Sequence, residues 1–262
     1  MEYLNRDGLA ATSVDSFRKQ RPYPWLKMPK TLTEQGYRAL CENMPPLTMF
    51  NKNEGVKRAY GQAPQDRYAS HYHPGLALSQ PWIEFIAELQ GEEYLSFLRR
   101  ILGWESFLLT FEWHYAWQGC SVSPHCDAAR KIATHLFYFN PEDWDPSWGG
   151  QTLILDGGGR FRAHPAPTFE QLQLVASSEP CGNNSLLFGR TKESWHGVRP
   201  LNCPPGTMRR LFKVTVNAIG FQVWWRNSAA KIQTVFRSTH PLLQGKPLDF
   251  QIGVSSECPA AR

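Results

Sequence analysis

Apolar residues recur at helical spacing from residue 79 to 102, in "SQPWIEFIAELQGEEYLSFLRRIL". This spacing gives one apolar face, which is typical of helices that pack on a core. Ser79 is a suitable N-cap, and Gly91 and Gly103 favour a break between two helices and an end to the second. The stretch 31–44, "TLTEQGYRALCENM", predicts one shorter helix earlier in the chain.

The pattern changes after Gly103, where β-branched and aromatic residues dominate short segments. Segments rich in Gly, Pro, Asn and Asp separate them, as expected of turns. The combination predicts a β-sandwich or barrel with helices packed on one sheet. The predicted strands are 106–117, 131–140, 151–156, 185–189 and 209–221.

The chain of 262 residues is long enough for one large domain. Residues 1–103 are interpreted as an N-terminal extension with supporting helices. Residues 104–221 form the predicted β core, and residues 222–262 are expected to form a C-terminal helix and tail. All three segments are expected to belong to a single structural domain.

Charge and cysteine usage narrow the functional classes. The net charge of +5 is spread along the chain, so no basic arm for nucleic acid is indicated. No apolar run reaches the length of a membrane span, and the first residues lack the apolar region of a signal peptide. The six cysteines form no C-x-x-C pair, which argues against a zinc knuckle or a redox dithiol. A cytoplasmic protein with reduced thiols is the expectation.

The segment "SPHCDAARK" contains a histidine and an aspartate two residues apart, His125 and Asp127. On a strand these two side chains share one face, while Cys126 points to the other and is not expected to be a ligand. His196, which begins a predicted strand after a polar loop, is the best candidate for a third ligand. Two histidines and one carboxylate are the ligand set of non-haem Fe(II) oxygenases. An H-x-D pair alone also occurs near turns that bind no metal.

Several segments in order resemble the prolyl-hydroxylase-type branch of the 2-oxoglutarate/Fe(II)-dependent dioxygenases. They run from about residue 104 to residue 220 and include "WHYAWQGCSVSPHCD", "THLFYFNPEDWD", "WGGQTLIL", "SLLFGRTKESWHGVRPL" and "RRLFKVTV". This resemblance implies a mainly β fold, a double-stranded β-helix or jelly roll, with the N-terminal helices on the major sheet.

The resemblance also implies roles for particular residues. His125, Asp127 and His196 would be the iron ligands. Arg209 would hold the distal carboxylate of 2-oxoglutarate, with Arg210 as its alternative because the strand register is not fixed by the sequence. Tyr138 and Tyr115 fall where the family often places tyrosines that contact 2-oxoglutarate, although either could be a core aromatic residue instead. The carboxylate of Asp127 favours hydroxylation, since the family's halogenases lack it.

The implied activity is hydroxylation of an unactivated C–H bond. Fe(II) would be the metal, 2-oxoglutarate and O2 would be consumed, and succinate and CO2 would be released. Ascorbate is an optional reductant in this family. The substrate would be a peptidyl side chain, prolyl or other, or an amino-acid-like molecule, and a small-molecule metabolite is the alternative. A catalytically silent jelly-roll binding module is the rival from another class. The sequence predicts neither the substrate nor the oligomeric state.

Overall fold

The computed structural model describes residues 1–58, 62–141, 143–161 and 166–219. Residues Met1–Ala218 form one compact unit. The helix and tail expected over 222–262 lie outside the described residues. Within the described part of the chain, none of the helices has the length and apolarity needed to cross a bilayer.

The helices lie in the first 102 residues, and the predicted ones are confirmed there. Ser79 and Gly91 are the N-caps of two consecutive helices, and Gly103 ends the second in a left-handed conformation with φ of 71°. The α-helices of the described residues are α1 (Arg6–Ala11), α2 (Val14–Arg18), α3 (Glu34–Glu42), α4 (Gln80–Leu89) and α5 (Glu92–Leu102).

The strands pair into two antiparallel sheets that form a jelly roll. The major sheet has the order β1-β9-β6-β11-β4-β3-β2, and the minor sheet has the order β5-β10-β7-β8. Every strand predicted from residue 106 onward is present, with ends shifted by three residues at most. The strands are β1 (Trp25–Pro29), β2 (Asn51–Asn53), β3 (Arg67–His71), β4 (Phe107–Ala116), β5 (Val122–His125), β6 (Lys131–Tyr138), β7 (Leu153–Asp156), β8 (Gln173–Ser177), β9 (Asn184–Gly189), β10 (His196–Val198) and β11 (Arg209–Ala218).

The outer face of the major sheet packs against the helices through a layer of aromatic rings. Trp82 and Phe85 of α4 lie 5.1 and 5.7 Å, centroid to centroid, from Phe212 of β11. Trp113 of β4 lies 5.2 Å from Trp82. All four side chains are fully buried, so truncating one to alanine should cost about 3–5 kcal/mol of folding free energy.

The inner face of the major sheet points toward the minor sheet. Leu136, Leu211 and Phe188 pack there against Ile154 of β7. Because side chains alternate along a strand, Phe212, Val214 and Val216 enter the helix-covered core while Arg209, Leu211 and Lys213 face inward. One strand therefore carries both the aromatic core and an inward row of cations.

Strands β2 and β3, at one side of the major sheet, are not predicted by the sequence pattern. The stretch 51–70 is polar and loop-like. In the structure, β2 and β3 form an antiparallel pair, and β3 joins β4 with Tyr68 opposite Tyr115. The long β4 supplies the hydrogen-bonding edge that makes a polar segment a strand.

The long stretch after Asp156 also contains an element that the sequence did not predict. The edge strand β8 lies within it and pairs with β7 through Ile154 and Ala176. Part of this stretch therefore belongs to the minor sheet.

His135 is a fully buried histidine whose neutral form is built into the fold. Its Nδ1 lies 2.9 Å from the Tyr94 hydroxyl, and its Nε2 lies 2.9 Å from the Ser185 hydroxyl. Burial lowers its pKa to about 3. Both ring nitrogens therefore have hydrogen-bond partners in the neutral form.

We expect His135 to lower the free energy of unfolding as the pH decreases. The unfolded chain binds a proton below about pH 6.5 and the folded ring does not, so stability is lost as the pH drops from there toward 3. Urea unfolding at pH 7.5 and pH 5 should show a loss that is about 2 kcal/mol smaller in His135→Gln than in wild type. The exposed His73→Gln is the control, and equal losses in wild type and His135→Gln would contradict this assignment.

Candidate active site

Strands β5 and β10 bring two histidines together at one end of the minor sheet. His125 and His196 are directly paired, and their ring centroids lie 4.3 Å apart. Gly197 makes this pairing sterically feasible, because a Cβ there would lie 2.7 Å from the carbonyl oxygen of Val122. His196 begins β10, as the sequence predicted.

Asp127 follows β5 by two residues and completes the group. Its Oδ1 accepts a hydrogen bond from Lys131 Nζ at 2.5 Å, and its Oδ2 accepts one from Thr134 Oγ1 at 2.9 Å. Both partners come from β6. Ligand atoms of His125, Asp127 and His196 all lie within 4.8 Å of one another.

The donor atoms of this group are oriented as a metal site requires. The Nδ1 of His125 lies 3.0 Å from the carbonyl oxygen of Ser123, and the Nδ1 of His196 lies 2.9 Å from that of Ser194. A carbonyl only accepts, so each Nδ1 carries the proton and each Nε2 keeps its lone pair. Two neutral imidazoles and a carboxylate on one small patch fit Fe(II).

Electrostatics keep all three groups in their metal-binding protonation states. Burial lowers the pKa of His125 to about 3, with His196 adding to the effect and Asp127 opposing it. Burial likewise lowers the pKa of His196. Burial alone would raise the pKa of Asp127, but Lys131 and the two histidines outweigh it and hold that pKa well below its usual range.

Arg209 is a buried cation on the same inner surface. Its Nε donates to the carbonyl oxygen of Gly150 at 2.7 Å, and its Nη2 donates to Thr152 Oγ1 at 3.3 Å. Its guanidinium carbon lies 5.6 Å from the ring centre of Tyr138. Gly150 has φ of 92°, and a Cβ there would approach Arg209 Cδ to 3.2 Å. Within the described residues no carboxylate pairs with Arg209.

Tyr138 lies beside Arg209, as the family resemblance implies. Its hydroxyl donates to Thr152 Oγ1 at 2.9 Å, and its side chain is buried. Burial raises the pKa of Tyr138, and Arg209 opposes the shift. The tyrosine is therefore a neutral hydrogen-bonding group at neutral pH.

Tyr115 and Arg210, which were also considered for 2-oxoglutarate, lie on the face of the major sheet that points away from the cavity. Tyr115 lies on the outer face of the major sheet, where its hydroxyl donates to the carbonyl oxygen of Pro45 at 2.9 Å. Arg210 is directly opposite Tyr115 and stacks over its ring, so it shares that face. Strand alternation favours Arg209 over Arg210, because Arg209 lines the cavity.

A cavity of about 300 Å³ joins the His-Asp-His group to Arg209. Apolar side chains of Leu136, Leu211 and Phe188 form part of its wall. This volume is at the lower end of the range of small-molecule sites.

Several polar residues of this cavity were not assigned from the sequence. His114 faces inward and lies 2.6 Å from Glu112, which also contacts Lys213. Strand alternation could have indicated this position, since His114 and Tyr115 are adjacent on β4 and lie on opposite faces. Arg58 and Arg67 also line the cavity, but they precede the region that resembles the family, and nothing in their local pattern marks them.

The model of the 2OG-Fe(II) oxygenase superfamily matches residues 112–217. This region contains the His-Asp-His group and Arg209. This match and the His-Asp-His group within it support a 2-oxoglutarate-dependent dioxygenase that uses Fe(II), 2-oxoglutarate and O2. A search of curated protein sequences found no significant match.

Solved structures support the jelly-roll fold of this dioxygenase. A prolyl-4-hydroxylase from Pseudomonas putida superposes with a TM-score of 0.53 at 17% identity, covering 79% of this chain and 98% of that chain. A prolyl hydroxylase from Trichoplax adhaerens, solved with a hypoxia inducible factor peptide, gives 0.53 at 14% identity, covering 78% and 88%. The carbocyclase SnoK from nogalamycin biosynthesis gives 0.55 at 10% identity, covering 80% and 86%. At these identities the likeness shows the fold alone.

We expect Gly197→Ala to separate the two histidines, since its Cβ would meet the Val122 carbonyl at 2.7 Å. Affinity for Fe(II) should fall at least about tenfold, because ligands displaced from their supported positions bind metal poorly. Gly189→Ala is the matched control, since a Cβ there lies at an ordinary 3.5 Å from Pro24. Anaerobic Fe(II) titration measures both, and equal affinities for the two variants would refute this role of Gly197.

Proposed function

We propose that His125, Asp127 and His196 hold the iron and that the enzyme hydroxylates an unactivated C–H bond of an amino-acid-like or peptidyl substrate. Succinate and CO2 are the co-products. The observation that carries this proposal is the paired His125 and His196, whose Nδ1 atoms are held by backbone carbonyls beside a buried aspartate.

The second part of the proposal is the 2-oxoglutarate site. Arg209 is a buried guanidinium that lacks a carboxylate partner among the described residues. Its contact with Gly150 fixes one edge of the guanidinium, while the remaining N–H groups are available to a carboxylate. We assign to Arg209 and Tyr138 the distal carboxylate of 2-oxoglutarate.

The residues of the chain have separate tasks in this reaction. Iron with 2-oxoglutarate and O2 supplies the oxidising power for C–H cleavage when bound. Lys131 and Thr134 orient the Asp127 carboxylate, and the carbonyls of Ser123 and Ser194 orient the two imidazoles. Leu136, Leu211 and Phe188 exclude water from the reacting centre.

The amino-acid-like or peptidyl substrate is the finer part of the proposal. The Trichoplax prolyl hydroxylase was solved with a peptide, whereas SnoK is named a carbocyclase from nogalamycin biosynthesis. Because these share only the fold with this chain, a small-molecule metabolite is kept as the second candidate. The cavity of about 300 Å³ favours a compact group at the iron in either case.

Anaerobic titration with Fe(II) and then 2-oxoglutarate tests the centre directly. We expect a saturable visible charge-transfer band in wild type and none in His196→Ala. Iron uptake without the band would refute 2-oxoglutarate chelation. No iron uptake at all would favour a silent binding protein of the same fold.

The two adjacent arginines give a matched pair for the co-substrate site. Arg209→Gln should raise the dissociation constant for 2-oxoglutarate by about 10–100-fold, since charge-assisted hydrogen bonds contribute about 1.5–3 kcal/mol. Arg210→Gln should change it less than about twofold, because that side chain lies on the helix-covered face. Iron affinity should be unchanged in both. A larger effect from Arg210→Gln would overturn the assignment.

A further inference from the structure

The cavity carries far more positive charge than its acidic groups neutralise. Asp127 is the one carboxylate among its described lining residues, and Glu112 touches the lining residues Lys213 and His114. Fe(II) and the doubly charged 2-oxoglutarate cancel each other, so their binding leaves this excess in place. The lining cations are Arg58, Arg67, Arg130, Lys131, Arg209 and Lys213.

Most of these cations have identified partners. Lys131 binds Asp127, and Lys213 binds Glu112. Arg209 is assigned to 2-oxoglutarate, and Arg130 is exposed. Arg58 and Arg67 remain.

Arg58 and Arg67 have buried donors without acceptors. Nη1 of Arg58, Nε of Arg67 and the neighbouring Nε2 of Gln65 are buried and have no hydrogen-bond partner among the described residues. The other nitrogens of Arg67 have partners: Nη1 donates to the carbonyl oxygen of Gln65 at 2.9 Å, and Nη2 lies 3.8 Å from Glu112 Oε1. Unsatisfied buried N–H groups cost about 1–3 kcal/mol each, and these three belong to residues that line one cavity. A ligand in this cavity that pairs with them would offset that cost.

The two arginines are also close enough to repel each other. Burial lowers the pKa of Arg58, and the charge of Arg67 lowers it further, while Asp127 opposes the shift. Arg58 lines the same cavity as Asp127 and the two histidines. An anion bound by both guanidinium groups would remove this repulsion.

This pair lies apart from the proposed 2-oxoglutarate anchor. Arg67 is on β3 and Arg209 is on β11, with β4 between them in the sheet. Neighbouring strands are about 4.8 Å apart, so the two positions differ by on the order of 10 Å across the sheet. The backbone positions of Arg67 and Arg209 are therefore separated by one strand of the sheet.

We propose that Arg58 and Arg67, with Gln65, bind a carboxylate of the substrate to be oxidised. This inference rests on the proposed function, since it assumes that Arg209 takes the co-substrate. It narrows the substrate class to compounds that carry a carboxylate, which excludes neutral prolyl segments. A free amino acid and an acidic peptide side chain both supply this chemistry.

Matched compounds test the proposal on the full-length protein. Anaerobic enzyme with Fe(II) and 2-oxoglutarate is titrated with free L-amino acids, with their carboxamides, and with amidated tripeptides centred on Asp, Glu, Asn or Gln. Perturbation of the charge-transfer band reports binding, and succinate formation in air reports turnover. We expect at least one carboxylate to bind at least about tenfold more tightly than its amide, since each charge-assisted hydrogen bond is worth about 1.5–3 kcal/mol.

Variants assign the binding to the arginines. Arg58→Gln and Arg67→Gln should each weaken the carboxylate at least about tenfold while changing 2-oxoglutarate affinity less than about twofold. Arg199→Gln, an exposed arginine outside the cavity, is the charge-matched control. If a glutamine variant does not fold, Arg58→Lys and Arg67→Lys keep the charge and should still weaken binding, because lysine lacks the planar fork.

The remaining outcomes separate the two proposals. Equal binding of acids and amides, no binding by any acid, or unchanged binding in the variants would overturn the carboxylate site and leave the iron centre intact. Loss of the 2-oxoglutarate band in Arg58→Gln or Arg67→Gln would show that the pair holds the co-substrate instead. Absence of the band in wild type would refute the proposed function itself. Preference for free amino acids over acidic tripeptides, or the reverse, identifies the source of the carboxylate.

Discussion

The central strand β11 has to satisfy two incompatible environments at once, and the rest of the structure depends on how it does so. Its even-numbered side chains, Phe212, Val214 and Val216, enter an aromatic core under the helices. Its odd-numbered side chains, Arg209 and Lys213, enter a polar cavity. Because side chains alternate between the two faces, the register of β11 cannot shift by one residue without burying the cations among aromatic rings. The register with β4 and β6 therefore fixes the fold and the site together.

The active site is held mainly by backbone geometry. Backbone carbonyls orient both histidines, and Gly150 and Gly197 let the chain approach closely where a side chain would not fit. Long side chains then act on parts already in position, as Lys131 does on Asp127. Such a site is organised before the metal arrives, which reduces the entropy that binding has to overcome.

Local pattern predicted the helices, the strands after residue 106 and the His-Asp-His group. The periodicity of apolar residues and the two-residue spacing of His125 and Asp127 both depend only on residues close in the sequence. The sequence could also have distinguished Arg209 from Arg210. Arg210 and Phe212 are two residues apart on one strand, so Arg210 shares the face of the apolar Phe212 and Arg209 has the opposite face. The face of Tyr115 could not be predicted from the sequence, because a turn separates it from His125 and breaks the alternation between them. Arg58 and Arg67 were not predictable, since their position in the cavity depends on a polar edge pair, β2 and β3, that only the free edge of β4 makes regular.

The closely spaced charges of Arg58 and Arg67 have a consequence for how the protein can evolve. In the absence of an anion, their repulsion and unsatisfied donors lower the stability of the folded chain. Replacing either with a neutral residue would relieve that cost, so selection for stability alone would tend to erase the pair. If both arginines are kept in related chains, ligand recognition is the property under selection. The loss of both would then indicate a change of substrate more directly than any change at the iron.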